Sequence, residues 1–340
     1  MKKAGLFILS IIFGIALFIA VLNYIGLEDI KKAFDSFSWG VIAIVIALSF
    51  VQMFIVIYRW KLIIESQGDK VPYRKLIAPK FVGYTISFLT PGLYVGGEPI
   101  RAYLLKKNTG IRLSKGFSSI IVDKILDFTY PLPFLIWALV YAIIKYDISW
   151  EAIGIFVFIL FSLIFLLGVF YIQTYRGKGF FSSLARWFQL NRFKKLEKFI
   201  NKGKYFENLV ITFFKHKQLL FFKGLLLSCL GGAVILVQFI VILHALGVSA
   251  NFVEILMMMV FMILAFLVPV PASIGSLEVG QAVIFAAIGH PASIGIAFVL
   301  IIRIAELGKL GVGLTFLSNV GLKFLRSIPE KNGLKGENKG

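Results

Sequence analysis

The chain has 340 residues, of which 59% are hydrophobic and 16% are charged, and its mean hydropathy is +0.89. Soluble domains carry roughly 25% charged residues, so this composition excludes a large soluble domain. The formal net charge is +19, but Lys and Arg lie between apolar stretches and no nucleic-acid-binding motif accompanies them. No nucleic-acid partner is therefore expected.

Apolar stretches that are long enough to enter or cross ~30 Å of hydrocarbon follow one another along the chain. They cover approximately residues 5–25, 39–58, 76–97, 117–144, 152–172, 219–246, 252–289 and 292–318. We expect the first to be a retained helix, because its apolar run is longer than the core of a signal peptide. The sequence predicts one transmembrane domain over residues 1–320 and a polar cytoplasmic tail over 321–340.

The segment 76–97 lies between two basic connections, 59–75 and 101–116, which the positive-inside rule places in the cytoplasm. One crossing cannot join two connections on the same side of a membrane. We therefore predict a re-entrant hairpin that extends to about residue 107. Its tip would run from Thr90-Pro91-Gly92 to Gly96-Gly97, where Pro and Gly break a helix.

The segment 252–289 has the opposite surroundings. No Lys or Arg occurs from Gly224 to Ile302, so both of its flanks are expected outside the cell. The C-terminal tail is basic, so we expect it in the cytoplasm. We expect the N-terminus on the same side, and the protein in the cell membrane. We predict a second hairpin that opens from outside and is broken at Pro269-Val270-Pro271 and at Gly275.

The two hairpins also resemble each other, since aligning Pro91 with Pro271 places Glu98 on Glu278. This match and the opposite sidedness predict an inverted repeat, an architecture of many transporters. The predicted fold class is an all-α polytopic membrane protein with about six full transmembrane helices and two re-entrant hairpins.

The connection 176–217 combines many Lys and Arg residues with aromatic and aliphatic ones. This pattern is typical of an amphipathic helix at the surface of anionic lipid. The alternative is a solvated cytoplasmic loop. The apolar residues concerned are Phe180, Phe181, Leu184, Trp187 and Phe188.

Ionisable residues within a span cost ~2.5–3.5 kcal/mol each, so they usually face the protein interior and serve function. Arg101 and Arg303 either pair with Glu98 and Glu306 at i, i+3 or contact an anionic headgroup. Glu98 and Glu278 either complement a helix dipole or serve substrate or proton. Backbone amides at the hairpin tips would add donors for the ligand. The predicted substrate-binding residues are Gly96, Gly97, Glu98, Arg101, Asp123, Asp127, Gly275, Ser276, Glu278, Arg303 and Glu306.

Three stretches, 88–105, 119–127 and 269–278, resemble the lysylphosphatidylglycerol synthetase transmembrane, or flippase-like, domain family. The most specific block is Gly96-Gly-Glu-Pro-Ile-Arg101. This chain has Asp123-Lys124 where relatives often have Glu-Arg. The resemblance implies lipid translocation, and it implies pocket roles for Glu98, Arg101, Asp123, Asp127 and Glu278.

The chain contains no P-loop, GxSxG or HExxH motif, so we expect neither an enzyme nor a cofactor or metal site. Cys229 is the sole cysteine, which excludes an intrachain disulfide. The predicted function is flippase-like transport or binding of an anionic lipid headgroup. The alternatives are an ion-coupled transporter of a small soluble anion and a membrane scaffold for a partner enzyme that modifies lipids.

Overall fold

The computed structural model describes residue 28 and residues 37–90, 96–146, 150–180, 182–183 and 194–326. The predicted first span 5–25, most of the first hairpin tip and part of the aromatic stretch near 184–193 lie outside these residues. Within them the secondary structure is helical and no strand occurs. The helices are α1 Trp39–Glu65, α2 Arg74–Leu89, α3 Glu98–Thr109, α4 Leu113–Thr129, α5 Leu132–Lys145, α6 Trp150–Tyr175, α7 Lys194–His216, α8 Gln218–Ala245, α9 Phe252–Leu267, α10 Ser276–Ala287 and α11 Ala292–Arg326, with a 3-10 turn at Pro271–Ser273.

Several of these helices are suited to a lipid environment. Helix α1, the stretch Leu113–Lys145, residues Phe156–Tyr175 of α6 and helix α8 are long and apolar enough to cross a membrane. Large apolar side chains on α6 and α8, such as Phe158 and Leu226, are exposed on the protein surface. Exposed apolar surface of this extent indicates contact with lipid. The predicted all-α polytopic membrane fold is confirmed.

The predicted span 117–144 is divided into two helices. Helix α4 ends at Thr129 and α5 begins at Leu132. Pro131 lies at the break and has no amide hydrogen with which to continue the helical hydrogen bonds. The sequence predicted a single span here because the apolar character continues through the break.

Both hairpin segments are interrupted at Pro/Gly-rich residues. Helices α2 and α3 are separated by residues 90–97, and α9 and α10 are separated by the 3-10 turn and Gly275. The members of each pair pack against each other. In both pairs the first helix has 16 residues and the second has 12. At 1.5 Å per residue each helix is shorter than ~30 Å of hydrocarbon.

Close backbone approach holds the first pair together. The Gly97 amide donates a hydrogen bond to Ser87 Oγ, 2.9 Å away. A Cβ atom on Gly97 would overlap the carbonyl oxygen of Gly83, and one on Gly83 would lie 3.1 Å from Cβ of Arg101. The two glycines therefore allow α2 and α3 to approach closely enough to bring Arg101 against α2.

Helix α1 takes part in two cores of the described fold and packs along α8. Its first half, with Val45, joins a core shared by α5, α8, α9, α10 and α11. Its second half, with Ile57 and Trp60, joins another core shared with α2, α3 and α4. Helix α11 packs against α1, α2 and α10, so it contacts both hairpins. The two hairpins consequently converge on α1 and α11.

The basic connection between the two halves contains a regular helix, α7. Its last part places Val210, Phe213 and Phe214 in a core with Leu126 of α4 and Phe170 of α6. Helix α7 covers Lys194–His216, which follow the aromatic stretch 180–188 on which the predicted interfacial helix rests; most of that stretch lies outside the described residues. The C-terminal part of α7 therefore has an apolar face that packs against the transmembrane helices.

We predict that Gly97→Ala lowers the free energy of unfolding by about 1–3 kcal/mol, because the added methyl group must separate α2 from α3. Gly154→Ala on α6 is the matched control, since a Cβ at Gly154 meets no atom within 4 Å. Thermal unfolding of both variants in detergent checks this. Equal midpoints for the two variants would contradict the close packing.

Candidate functional site

Asp123 of α4 is completely buried, and its two carboxylate oxygens accept hydrogen bonds from three cationic side chains. Oδ1 accepts from Arg59 Nε at 2.8 Å and from Arg59 Nη2 at 2.6 Å. Oδ2 accepts from Lys80 Nζ at 2.9 Å and from Arg101 Nη2 at 2.7 Å. One carboxylate therefore joins α4 to α1, α2 and α3.

Arg59 uses all three of its side-chain nitrogens. Besides Asp123, its Nη2 lies 2.7 Å from Asp127 Oδ1, and its Nη1 donates to Ser228 Oγ of α8 at 2.7 Å. Asp127 follows Asp123 by one helical turn, so both carboxylates face the same guanidinium. Arg59 Nη2 also donates to the backbone carbonyl oxygen of Asp123 at 3.3 Å. The Arg59 guanidinium group is therefore held in one position by hydrogen bonds to four different oxygen atoms.

A second ion-paired group adjoins Asp123. Glu98 is the first residue of α3, and it lies 3.4 Å from Arg101 Nη1 and 3.1 Å from Lys124 Nζ. Glu98 thus pairs with two cations, and its position in the first turn also complements the helix dipole. We call the whole set the Asp123 cluster, which comprises Arg59, Lys80, Glu98, Arg101, Asp123, Lys124 and Asp127.

The Asp123 cluster contains four cations and three carboxylates, so its formal charge is +1 within the part of the chain that the structure describes. Arg101 stacks on Trp60, with 3.8 Å between the guanidinium carbon and the ring centroid. Its Nε is buried and has no hydrogen-bond partner among the described residues. The cluster therefore has excess positive charge and an unused donor.

The cluster reaches the protein surface at one edge. The side chains of Lys124 and Asp127 are 26% and 37% exposed, whereas that of Asp123 is 0% exposed. A ligand that approached the cluster in this conformation would meet Lys124 and Asp127 first.

The predicted residues of the second half form a separate group at the other hairpin. Arg303 Nε donates to Glu278 Oε1 at 3.0 Å, and Arg303 also donates to the carbonyl oxygens of Ala272 and Ser273. These two residues have positive φ angles of 54° and 49°, which are uncommon for residues with a side chain. Arg303 and the Gly275 amide, which donates to Glu278 Oε2 at 2.8 Å, fix the turn between α9 and α10.

One of the two ion pairs predicted at i, i+3 is not formed, whereas Arg101 does pair with Glu98. Arg303 pairs with Glu278 and not with Glu306, because the packing of α10 on α11 brings Glu278 to it. Glu306 instead accepts from Tyr84 Oη at 2.6 Å and lies 3.2 Å from Lys309 Nζ.

Two of the tip amides that were expected to serve a ligand have partners within the chain. Those of Gly97 and Gly275 donate to Ser87 Oγ and Glu278 Oε2. Ser276 Oγ donates to the carbonyl oxygens of Ala265 and Ser273. Gly96 packs against Thr90, at the hairpin tip.

The structure thus brings Glu98, Arg101, Asp123 and Asp127 together, and it places Glu278 and Arg303 elsewhere. Helix α2 contacts both the Asp123 cluster and helix α11. Its Lys80 donates a hydrogen bond to Asp123. Its Tyr84, one turn later, donates a hydrogen bond to Glu306 of α11. The described residues contain no group of three or more His, Cys, Asp or Glu residues that is arranged to hold a metal ion.

Sequence reasoning missed Arg59 and Lys80. Arg59 was assigned to a cytoplasmic connection because the apolar stretch ends at residue 58, although α1 continues to Glu65. Lys80 is the sole Lys or Arg in the apolar segment 76–97, and this isolation could have identified it as a candidate site residue. A cation within an apolar segment usually faces a polar partner inside the protein.

These features define a polytopic α-helical membrane protein with a buried cluster of ionised side chains. A sequence profile described as Lysylphosphatidylglycerol synthase TM region matches residues 7–312, and the chain belongs to this family. The resemblance drawn from the three sequence stretches is confirmed.

Relatives in archaea align with nearly the whole chain. A UPF0104 membrane protein of Pyrococcus horikoshii is 27% identical over 307 residues, which cover 87% of this chain and 91% of that protein. A UPF0104 membrane protein of Methanothermobacter thermautotrophicus is 24% identical over 317 residues, which cover 89% of this chain and 91% of that protein.

We predict that Arg59→Met destabilises the protein by about 3–5 kcal/mol, because it leaves the buried Asp123 and its neighbour Asp127 without their shared cation. Lys61→Met is the matched control on the same helix. It removes a partly exposed pair with Glu65, 2.8 Å away, and such pairs contribute about 0–1 kcal/mol. Thermal unfolding in detergent provides the comparison. If both variants unfolded at the wild-type temperature, the Asp123 cluster would not stabilise the fold.

Proposed function

We propose that the protein is a flippase-like transporter of the cell membrane, which binds the headgroup of an anionic lipid at the Asp123 cluster and moves it between leaflets. The headgroup belongs to a phospholipid or a polyprenyl phosphate. The observation that carries the proposal is the formal charge of +1 on a largely buried cluster among apolar helices. The family description, which names a phospholipid in its synthase, supports a connection with lipid.

The chemistry of the cluster suits a phosphate ester. Electrostatic interactions are stronger in a site from which water is excluded, so an excess positive charge there attracts an anion. The guanidinium group of Arg101 offers parallel donors that match two oxygens of a phosphate. The acyl chains would remain against the apolar surfaces of the transmembrane helices while the headgroup occupies the cluster.

The helix order supports an inverted repeat. Helices α1, α2 and α3 have 27, 16 and 12 residues, and α8, α9 and α10 have 28, 16 and 12 residues. In the proposed arrangement the two hairpins enter the membrane from opposite faces. Movement of one repeat against the other would then expose the headgroup site to each leaflet in turn.

The topology yields a labelling prediction. Single cysteines at the exposed positions Lys75 and Lys107, in a Cys229→Ser background, are both expected to react with an impermeant thiol reagent from the cytoplasmic side. Cysteines at Ser249 and Pro291 are expected to react from outside. Intact cells and inverted vesicles distinguish the two sides. Labelling of positions 75 and 107 from opposite sides would contradict the first re-entrant hairpin.

The transport prediction concerns Arg101. In liposomes, Arg101→Gln is expected to slow the movement of fluorescent phosphatidylglycerol between leaflets by about tenfold or more, since loss of a charge-assisted hydrogen bond costs ~1.5–3 kcal/mol. Lys106→Gln is the matched control, because it removes the same charge from an exposed position on the same helix. Reduction of the outer-leaflet fluorophore by dithionite measures the rate.

Three outcomes, two from liposomes and one that also needs lipid analysis of cells, separate the proposed function from its alternatives. Equal rates for wild-type liposomes and empty liposomes would contradict lipid translocation. If the same liposomes accumulated a soluble anion, the protein would be an ion-coupled anion transporter. If the protein moved neither ligand, and neutralising the basic residues of 176–217 abolished its effect on cellular lipids, it would be a scaffold for a lipid-modifying enzyme.

A further inference from the structure

The two oxygens of the Asp123 carboxylate have different partners. Oδ1 contacts Arg59, which belongs to the central helix α1. Oδ2 contacts Lys80 and Arg101, which belong to the two arms of the first hairpin. The Asp123 carboxylate therefore binds α1 through one oxygen and the first hairpin through the other.

We propose that Asp123 is a resident competitor of the ligand, and that its Oδ2 occupies the position that an oxygen of the phosphate group takes when the headgroup binds. This inference rests on the proposed function and names the atoms that the ligand replaces. Binding is then an exchange, in which the phosphate oxygen displaces the Asp123 oxygen from Lys80 and Arg101.

The donors on the hairpin are incompletely used, which makes the exchange favourable for a ligand with two oxygens. Arg101 Nη2 donates to Asp123, whereas the adjacent Nε has no partner among the described residues. Nε and Nη2 lie side by side on one edge of the guanidinium group. In the structure Asp123 Oδ2 uses only Nη2, but a phosphate has two oxygens that can accept from both donors in the bidentate arrangement.

The exchange leaves no buried carboxylate without a cation. After Oδ2 is displaced, Asp123 keeps both hydrogen bonds from Arg59 to Oδ1, and Arg59 also keeps Asp127 and Ser228. A buried ion that lost every partner would cost several kcal/mol, and this arrangement avoids that cost. The bonds that break are those to the hairpin.

The exchange also links ligand binding to movement of the hairpin. Lys80 and Arg101 are the cations through which α2 and α3 contact Asp123. When the phosphate occupies them, the two ties between the hairpin and Asp123 of α4 are lost, and the Glu98–Lys124 pair remains. Headgroup binding would thus loosen the attachment of the hairpin to α4 before the hairpin moves.

The test compares two substitutions that remove the same charge from α4. Asp123→Asn weakens the contacts with Lys80 and Arg101, whereas Asp127→Asn removes a carboxylate that contacts Arg59 and neither hairpin cation among the described residues. Native mass spectrometry measures the binding of phosphatidylglycerol and of phosphatidylcholine to the full-length protein in detergent. We expect Asp123→Asn to bind phosphatidylglycerol about tenfold tighter than wild type, and Asp127→Asn less than about threefold tighter.

The outcomes separate this inference from the proposed function. Tight binding by the wild type with no gain in Asp123→Asn, or with an equal gain in Asp127→Asn, would overturn the inference alone. No preference for phosphatidylglycerol over phosphatidylcholine in any variant would overturn both. A gain of the same size for inorganic phosphate, without a gain for the lipid, would support the exchange and assign the site to a soluble anion.

A second measurement uses the wild-type protein and does not depend on the folding of a variant. Hydrogen–deuterium exchange of residues 74–109 is expected to rise when phosphatidylglycerol is added, because the hairpin loses its two ties to Asp123 of α4. Phosphatidylcholine serves as the control lipid. Slower exchange of this segment with phosphatidylglycerol would mean that the ligand adds to the Asp123 contacts and does not replace them, which would overturn the inference.

Discussion

One buried carboxylate determines how the first four described helices are arranged. An ionised group away from water must have partners, because desolvation of an unpaired charge costs several kcal/mol. Asp123 meets this requirement with Arg59, Lys80 and Arg101, each from a different helix. The position of the first hairpin therefore depends on charge balance as well as on the close glycine contact between α2 and α3.

The same hairpin also contacts the second half of the chain. Lys80 and Tyr84 lie one turn apart on α2, and they contact Asp123 of α4 and Glu306 of α11 respectively. A shift of α2 that breaks the first contact must also strain or move the second. The charged residues of the two halves are thus linked through a single short helix.

Sequence reasoning predicted the features that depend on local composition. Apolar length identified the helices, and Pro and Gly identified the interruptions of both hairpins. It failed where the answer depends on packing between distant segments. Arg59 was placed in a connection because a charge ends an apolar stretch, yet α1 continues past it. The partner of Arg303 could not be predicted from spacing along α11, because Glu278 reaches it from another helix.

In the Asp123 cluster too, local spacing predicted some contacts, whereas others depend on packing between distant helices. Asp123 and Asp127 were expected to share a helix face from their spacing, and they do contact the same arginine. The two interpretations of Arg101, an internal ion pair or a ligand contact, are not exclusive in the structure. Arg101 pairs with Glu98 and Asp123, and its Nε remains without a partner among the described residues, which is the donor that the proposed ligand would contact.

A double-mutant cycle between Asp123→Asn and Arg101→Gln tests the central claim most directly. Unfolding free energies of the two single variants and the double variant give the coupling energy between the two side chains. The structure predicts a coupling energy above about 1 kcal/mol, because contacting residues in one ion-pair network are not additive. Additive effects would show that Asp123 does not hold the hairpin through Arg101, and would contradict the account.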